Sequence, residues 1–146
     1  MNFEQHYHLI TKADQVQIYE TIIGDPDGNV TTTLLRAQHY IKDNRLLPAG
    51  MEKEKIPTEI AVQGQAAQDE DFSAGGDSMK YAIQLPGSGT YSVSVELLYQ
   101  SVGYRWAENL RGIPFTAEAE SFLAMLKQTP LKPVMIAQNK LNVTLP

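Results

Sequence analysis

The strictest pattern in this sequence is the alternation of apolar and polar residues along two neighbouring segments. The apolar positions are Met79, Tyr81, Ile83, Leu85, Tyr91, Val93, Val95, Leu97 and Tyr99. Successive side chains of a strand point to opposite faces, so each segment has one face for a core and one for water. The stretch P-G-S-G-T at residues 86–90 has turn composition. The two segments are therefore predicted to form an antiparallel hairpin.

One segment has helical rather than strand periodicity. It runs from residue 116 to residue 128, and its larger apolar residues recur at helical spacing. Thr116 is suited to the N-cap, Glu118 and Glu120 lie in the first turn, and Pro130 follows the last turn. This segment is predicted to be an α-helix, and residues 104–111 are predicted to form a shorter helical turn.

The remaining chain reads as short strands and loops. Further strands are predicted at Ile60 and Val62 and within residues 134–143. Many short strands with one late helix favour a mainly β chain, folded as an antiparallel, jelly-roll-like β-sandwich with one α-helix near residues 116–128. A length of 146 residues fits a single domain over residues 1–146.

Composition excludes several classes of function. The net charge of −5 and the scattered basic residues argue against binding to nucleic acid. The chain has no cysteine, which excludes disulfides, thiolate zinc sites and covalent haem attachment on it. Its apolar runs are too short for insertion into a membrane. No signal peptide is recognised, so an exported protein would carry its signal upstream and this chain would be a fragment or a mature form.

The stretch D-P-D-G-N offers a first candidate site. Asp25, Asp27 and Asn29 could give three oxygen ligands to calcium, with Gly28 allowing a sharp bend. The glutamate that completes an EF-hand loop is absent. The alternative is a tight turn between two strands, for which Pro26 and Gly28 are well suited. The turn is the favoured interpretation.

A second acidic group lies in a polar, glycine-bearing loop. Its members are Asp69, Glu70, Asp71 and Asp77. They could also hold calcium, and Asp69 and Asp71 are the candidate ligands. A solvated loop is the more common meaning of such a run.

Histidines and aromatic residues supply the other candidates. His6 and His8 share a face if their segment is extended, so they could ligate zinc or copper together with His39 or a distant carboxylate. Trp106, the only tryptophan, and Tyr99 could contact a ligand or a protein partner. No nucleophile elbow or phosphate-binding loop is present, and the chain is not expected to be an enzyme.

Three phrases carry a family resemblance: D-Q-V-Q-I-Y-E at residues 14–20, H-Y-I-K-D-N-R-L-L-P-A-G at residues 39–50, and V-E-L-L-Y-Q-S-V at residues 95–102. They resemble a poorly characterised region at the C-terminal end of bacterial exported multihaem cytochrome c-type proteins. Those proteins carry C-x-x-C-H haem sites, and this chain has none.

The resemblance implies a noncatalytic accessory domain in the periplasm or another extracytoplasmic compartment. Its partner would be a haem-bearing domain or chain of the same redox protein, and any haem would belong to that partner. The alternative is a β-sandwich that binds a carbohydrate or another ligand, with calcium as a structural ion.

Overall fold

A computed structural model describes residues 3–111, 116–129 and 131–146 of the chain. These residues group into two compact units, Met1–Gln84 and Leu85–Pro146, called unit 1 and unit 2 here. Each unit is described by itself. None of the helices in the described residues is long and apolar enough to span a membrane.

Unit 1 contains five short strands in two small sheets. The strands are β1 (Leu9–Ile10), β2 (Thr21–Gly24), β3 (Val30–Thr31), β4 (His39–Asp43) and β5 (Lys80–Tyr81). Strand β2 pairs with both β3 and β4 in antiparallel fashion, and β1 pairs with β5 in parallel. Four 3₁₀ turns connect them, at Leu34–Arg36, Lys53–Lys55, Thr58–Ile60 and Gly64–Gln68.

Unit 2 contains two long strands and two helices. They are β6 (Gly89–Tyr99), α1 (Tyr104–Arg111), α2 (Ala117–Gln128) and β7 (Val134–Leu145). Strands β6 and β7 form an antiparallel two-stranded ribbon. The predicted helix near residues 116–128 is confirmed, and antiparallel sheets are present. The single jelly-roll-like β-sandwich stays a prediction.

Two strand assignments from the sequence are wrong. The alternating segment at residues 79–85 contributes only β5, which pairs with β1, while β6 pairs with β7 across the two helices. Alternation identifies a strand but not its partner. Ile60 ends a 3₁₀ turn, and near Val62 only a single bridge joins Gln63 to Asp43.

The D-P-D-G-N stretch forms the tight turn between β2 and β3. The Oδ1 atom of Asp25 accepts the backbone N–H groups of Asp27 at 3.0 Å and Asn29 at 2.8 Å. Its Oδ2 atom accepts from Arg36 at 3.1 Å. Gly28 has a φ of 79°, a value that favours glycine. The buried Asp25 carboxylate is thus occupied by the turn and by a guanidinium, and a calcium ion there stays a prediction.

Replacing Gly28 by alanine is expected to lower the free energy of unfolding by about 1 kcal/mol, because left-handed backbone is costly for residues with a Cβ atom. A Cβ atom at Gly28 meets nothing within 4 Å, so backbone strain alone is tested. Gly76→Ala is the matched control, since its Cβ also meets nothing and its φ is not positive. Urea denaturation measures both; equal effects would contradict the assignment of strain to Gly28.

The interior of unit 1 is unusually polar. Its apolar cluster consists of Val62, Ala66 and Phe72, with Tyr19 and Leu47 packed against it. Lys42 and Asn44 are, with Phe72, the largest side chains that are fully buried. Because buried polar groups cost free energy unless they are hydrogen-bonded, these side chains must be held by specific partners.

The β6–β7 ribbon is amphipathic. Directly paired residues of an antiparallel ladder point to the same face. One face is mainly apolar, and this apolar face consists of Tyr91, Val93, Val95, Leu97, Ala137, Leu141 and Val143, with Asn139 opposite Val95. The opposite face carries the polar residues Ser92, Ser94, Glu96, Gln138, Lys140 and Asn142 as far as the register shift after Leu97, beyond which Leu98 pairs with Met135. The ribbon therefore has one face suited to burial and one suited to water.

Candidate functional site

Two histidines and an aspartate from distant parts of unit 1 meet at one carboxylate. His6 and His8 lie just before β1, and Asp69 follows the 3₁₀ turn Gly64–Gln68. The Oδ2 atom of Asp69 lies 3.1 Å from Nε2 of His6 and 2.9 Å from Nδ1 of His8. His6 and Asp69 are buried, whereas 56% of the His8 side chain is exposed. The carboxylate thus links the interior of unit 1 to its surface.

The hydrogen bonds around His6 fix its tautomer. The side-chain oxygens of Gln17 and Asn44 each accept a backbone N–H at 2.9 Å, which fixes the orientation of both amides. Their nitrogens then face Nδ1 of His6, at 2.9 Å and 3.1 Å. Two N–H donors require Nδ1 to be an acceptor, so the ring proton resides on Nε2 and is donated to Asp69.

A second, half-buried carboxylate lies beside this network. The Oδ2 atom of Asp77 accepts from the Tyr19 hydroxyl at 2.8 Å and from Gln17 at 3.4 Å. Burial, followed by this hydrogen bond, raises the pKa of Tyr19, which keeps the hydroxyl protonated as a donor. The Oδ1 atom of Asp77 is buried and has no hydrogen-bond partner in the described part of the chain. Unsatisfied buried acceptors are rare and point to a missing donor or cation.

Opposing effects set the charge of Asp69. Burial alone would raise the pKa of this carboxyl, but hydrogen bonds from His8, His6 and the backbone N–H of Asp71 outweigh it and lower the pKa to about 2. The Asp69 side chain is therefore ionised throughout the physiological pH range.

Asp69 should contribute to stability above acidic pH only. Its folded-state pKa lies below the ordinary value of 3.8, so its contribution is present above that value and is lost as the pH falls through about 2. We expect Asp69→Asn, in metal-free buffer, to lower the free energy of unfolding near pH 6 by about 2 kcal/mol. We also expect a flatter pH dependence between about pH 5 and pH 2.

Urea denaturation at a series of pH values measures this effect. Asp14→Asn is the control, because Asp14 is exposed and has no hydrogen-bond partner among the contacts of the described residues. If the free energy of unfolding falls equally steeply at acidic pH in Asp69→Asn and in the unaltered chain, the low pKa assigned to Asp69 is contradicted.

The carboxylate opens into a surface groove of about 860 Å³. Its walls are largely polar and include Gln65, Gln68, Asp71 and Lys80, and His8 lies at its edge. Such a groove admits small polar ligands or ions. The hydroxyl of Tyr7, on the groove wall, donates to the Glu4 carboxylate at 2.7 Å.

The structure brings together four of the predicted site residues: His6, His8, Asp69 and Asp71. It also brings in Asp77, which belonged to the acidic group recognised in the sequence, and Gln17 and Asn44, which sequence reasoning did not join to the site. Asp25, Asp27 and Asn29 instead form the turn after β2. Trp106 and Tyr99 lie in unit 2 and are exposed. The sequence does contain a signal for this site, since a distant carboxylate was expected to complete the histidine pair.

Comparison of the chain with protein-family models, curated proteins and solved structures finds no match. The interpretation of the chain therefore depends on its own contacts and charges.

Proposed function

We propose that this chain is a noncatalytic interaction module that binds another protein domain through the apolar face of the β6–β7 ribbon. The observation that carries the proposal is the exposure of this face. Val95, Leu97 and Leu141 leave 48%, 39% and 46% of their surface accessible. A two-stranded ribbon is only marginally stable in water unless other elements cover its apolar face.

The partner in this proposal is a haem-bearing domain or chain of an extracytoplasmic redox protein. The family resemblance supports that choice, and the absence of cysteine means that covalently attached haem would belong to the partner. The predicted β-sandwich would then be completed by a sheet of the partner packed on the ribbon.

Co-purification with the C-x-x-C-H-bearing segment or chain encoded next to this one tests the proposal. We expect haem absorbance to elute together with the tagged chain. Leu97→Asp should weaken this binding at least tenfold, because it places a charge on the apolar face. Ser94→Asp introduces the same charge on the opposite face of the same strand and should bind normally.

Two results would overturn this function. One is the failure of the unaltered chain to retain any haem protein. The other is an equal loss of binding in Leu97→Asp and Ser94→Asp, because the effect would then come from charge rather than from the face that carries it.

A second candidate function is the binding of a carbohydrate. The specific observation is that Trp106 and Tyr99 expose 53% and 56% of their surface, and exposed aromatic rings stack on sugars. Trp106 is the only tryptophan, so its fluorescence reports directly on a nearby ligand. Saturable quenching by an oligosaccharide that is weakened in Tyr99→Ala would support this function. No quenching across a panel of oligosaccharides would reject it.

Calcium as a structural ion belongs to this alternative. A thermal melt with calcium and with a chelator tests it, because calcium at about 100 times its dissociation constant would stabilise the fold by about 2.7 kcal/mol. No shift at millimolar calcium would reject calcium at both Asp25–Asp27–Asn29 and Asp69–Asp71.

A further inference from the structure

The carboxylate of Asp69 is shared by two sets of side chains whose ligand atoms converge. His6, Asp69 and Asp77 form one set, and His8, Asp69 and Asp71 form the other. We propose that the second set binds one divalent transition-metal ion of the zinc type. This site lies within unit 1 and does not depend on the docking function proposed for unit 2.

The distances within the second set suit a single ion. The ligand atoms of His8, Asp69 and Asp71 all lie within 4.8 Å of one another. Two ligand atoms that are each about 2.1 Å from one tetrahedral zinc ion lie about 3.4 Å apart. A movement of about 1 Å is therefore enough to bring the ligands onto the ion. The exposed His8 side chain is free to make it.

The central ligand is already held in place. Asp69 accepts the Nε2–H of His6 at one oxygen and the backbone N–H of Asp71, at 3.1 Å, at the other. Ligating carboxylates in metal sites are commonly oriented by such hydrogen bonds. Only the hydrogen bond between His8 and Asp69 must be replaced by bonds to the metal. The ring nitrogen of His8 that makes this hydrogen bond then binds the ion, and the ring proton lies on the other nitrogen.

The first set is unsuitable for direct ligation by His6. A ligating Nε2 must be free of its proton, which would have to move to Nδ1. Nδ1 already accepts N–H groups from Gln17 and Asn44, so a proton there would face two donors. Both amides are fixed by backbone N–H groups and cannot invert without losing those bonds. The ion is therefore assigned to the His8 side of Asp69.

Charge provides an independent reason to place a cation here. Asp69, Asp71 and Asp77 form no ion pair with lysine or arginine within the described ranges 3–111, 116–129 and 131–146. Asp77 also lies within 4.8 Å of Asp69 at their ligand atoms, and its Oδ1 is buried without a hydrogen-bond donor. A divalent ion beside Asp69 would offset this concentration of negative charge.

The kind of ligand selects the metal. Calcium and magnesium prefer shells made of oxygen, and calcium takes six to eight such ligands. An imidazole nitrogen combined with carboxylates suits zinc and its transition-metal neighbours. The groove beside the site gives an ion access from solvent, and its glutamine and glutamate side chains offer further oxygens.

Titration calorimetry of zinc into the chelator-treated full chain tests the proposal. We expect one zinc ion per chain, bound at micromolar concentration, and no comparable binding of calcium. His8→Ala and Asp71→Asn should each weaken zinc binding at least about tenfold. His39→Ala is the matched control because it removes the third histidine, which is exposed and lies on β4. It should leave zinc binding unchanged.

The variants also need an independent check of folding, which a thermal melt without metal provides. His8 is exposed, so its removal should leave the metal-free melt close to that of the unaltered chain. Three results would overturn the site. The first is no saturable binding of zinc by the unaltered chain. The second is binding that survives His8→Ala or Asp71→Asn, and the third is binding that is lost equally in His39→Ala.

Discussion

Replacing Lys42 by methionine is expected to lower the free energy of unfolding of unit 1 by about 3 kcal/mol. The Lys42 ammonium is buried and donates to the backbone carbonyls of Glu4 at 2.7 Å and Ile18 at 2.8 Å. It also contacts the Glu20 carboxylate at 3.4 Å. Methionine fills the same volume but leaves both carbonyls without a donor, at about 1–3 kcal/mol each.

A second effect limits the loss. Burial lowers the pKa of Lys42, and the nearby Glu20 carboxylate opposes that shift only in part. The folded state therefore already disfavours the ammonium, and methionine removes this desolvation cost. The expected loss is consequently smaller than the sum of the lost hydrogen bonds.

Urea denaturation followed through the backbone amide signals of β2 and β4 measures this loss, because these strands belong to unit 1. Lys55→Met is the matched control: Lys55 pairs with Glu52 at the surface, where such pairs contribute little. The control should change stability by less than about 0.5 kcal/mol. A similarly small effect of Lys42→Met would mean that water reaches the Glu4 and Ile18 carbonyls.

The parts of the fold that are local in sequence could be predicted. Helix α2 follows from the spacing of its apolar residues, with Thr116 at the N-cap position but making no side-chain cap hydrogen bond. The turn after β2 follows from Pro26 and Gly28. These signals lie within a few residues of one another, so the sequence displays them directly.

Pairing between distant segments could not be predicted. The alternation in β6 indicates a strand, but several strands satisfy the same pattern and only the structure identifies β7 as its partner. Because a turn lies between β5 and β6 in the sequence, the pattern favoured β5 as the partner of β6, but β5 pairs with β1.

The polar interior of unit 1 could not be predicted either, because it also depends on contacts between distant segments. The phrase K-D-N-R at residues 42–45 has the composition of an exposed loop, yet Lys42 and Asn44 are fully buried. Their burial is tolerated only because backbone groups of the N-terminal segment and of residues 18–20 supply partners. Those partners are more than 20 residues away, so composition alone predicts the opposite.

The candidate site combines features that are local in sequence with contacts between distant segments. His6 with His8, and Asp69 with Asp71, are close pairs that the sequence displays as separate candidates. Their convergence requires the N-terminal segment to lie against a loop about 60 residues later. The residues of the candidate site are thus visible in the sequence, and the fold determines which of them meet.

Replacing Phe72 by alanine is expected to have a still larger effect, a loss of about 3–5 kcal/mol. Phe72 is completely buried and forms the apolar cluster with Val62 and Ala66. Its ring also meets that of His6 edge to face, with centroids 5.2 Å apart. Alanine would leave a cavity between the apolar cluster and the hydrogen-bonded histidine.

This substitution should therefore affect the site as well as stability. Loss of the ring removes one wall around His6, so its hydrogen bond to Asp69 should become more mobile. Urea denaturation gives the stability, and the NMR signals of the His6 imidazole report on its order. Leu35→Ala is the control, since Leu35 is 99% exposed and should change stability by less than about 0.5 kcal/mol.

Comparison of Phe72→Ala with Lys42→Met decides what holds unit 1 together. A larger loss for Phe72→Ala would mean that the small apolar cluster dominates and that the polar network mainly selects the conformation. A loss below about 1 kcal/mol for Phe72→Ala would contradict the burial of its ring, because a well-packed aromatic side chain cannot be removed at so small a cost. The hydrogen bonds of Lys42, Asn44 and His6 would then be the principal source of stability in this unit.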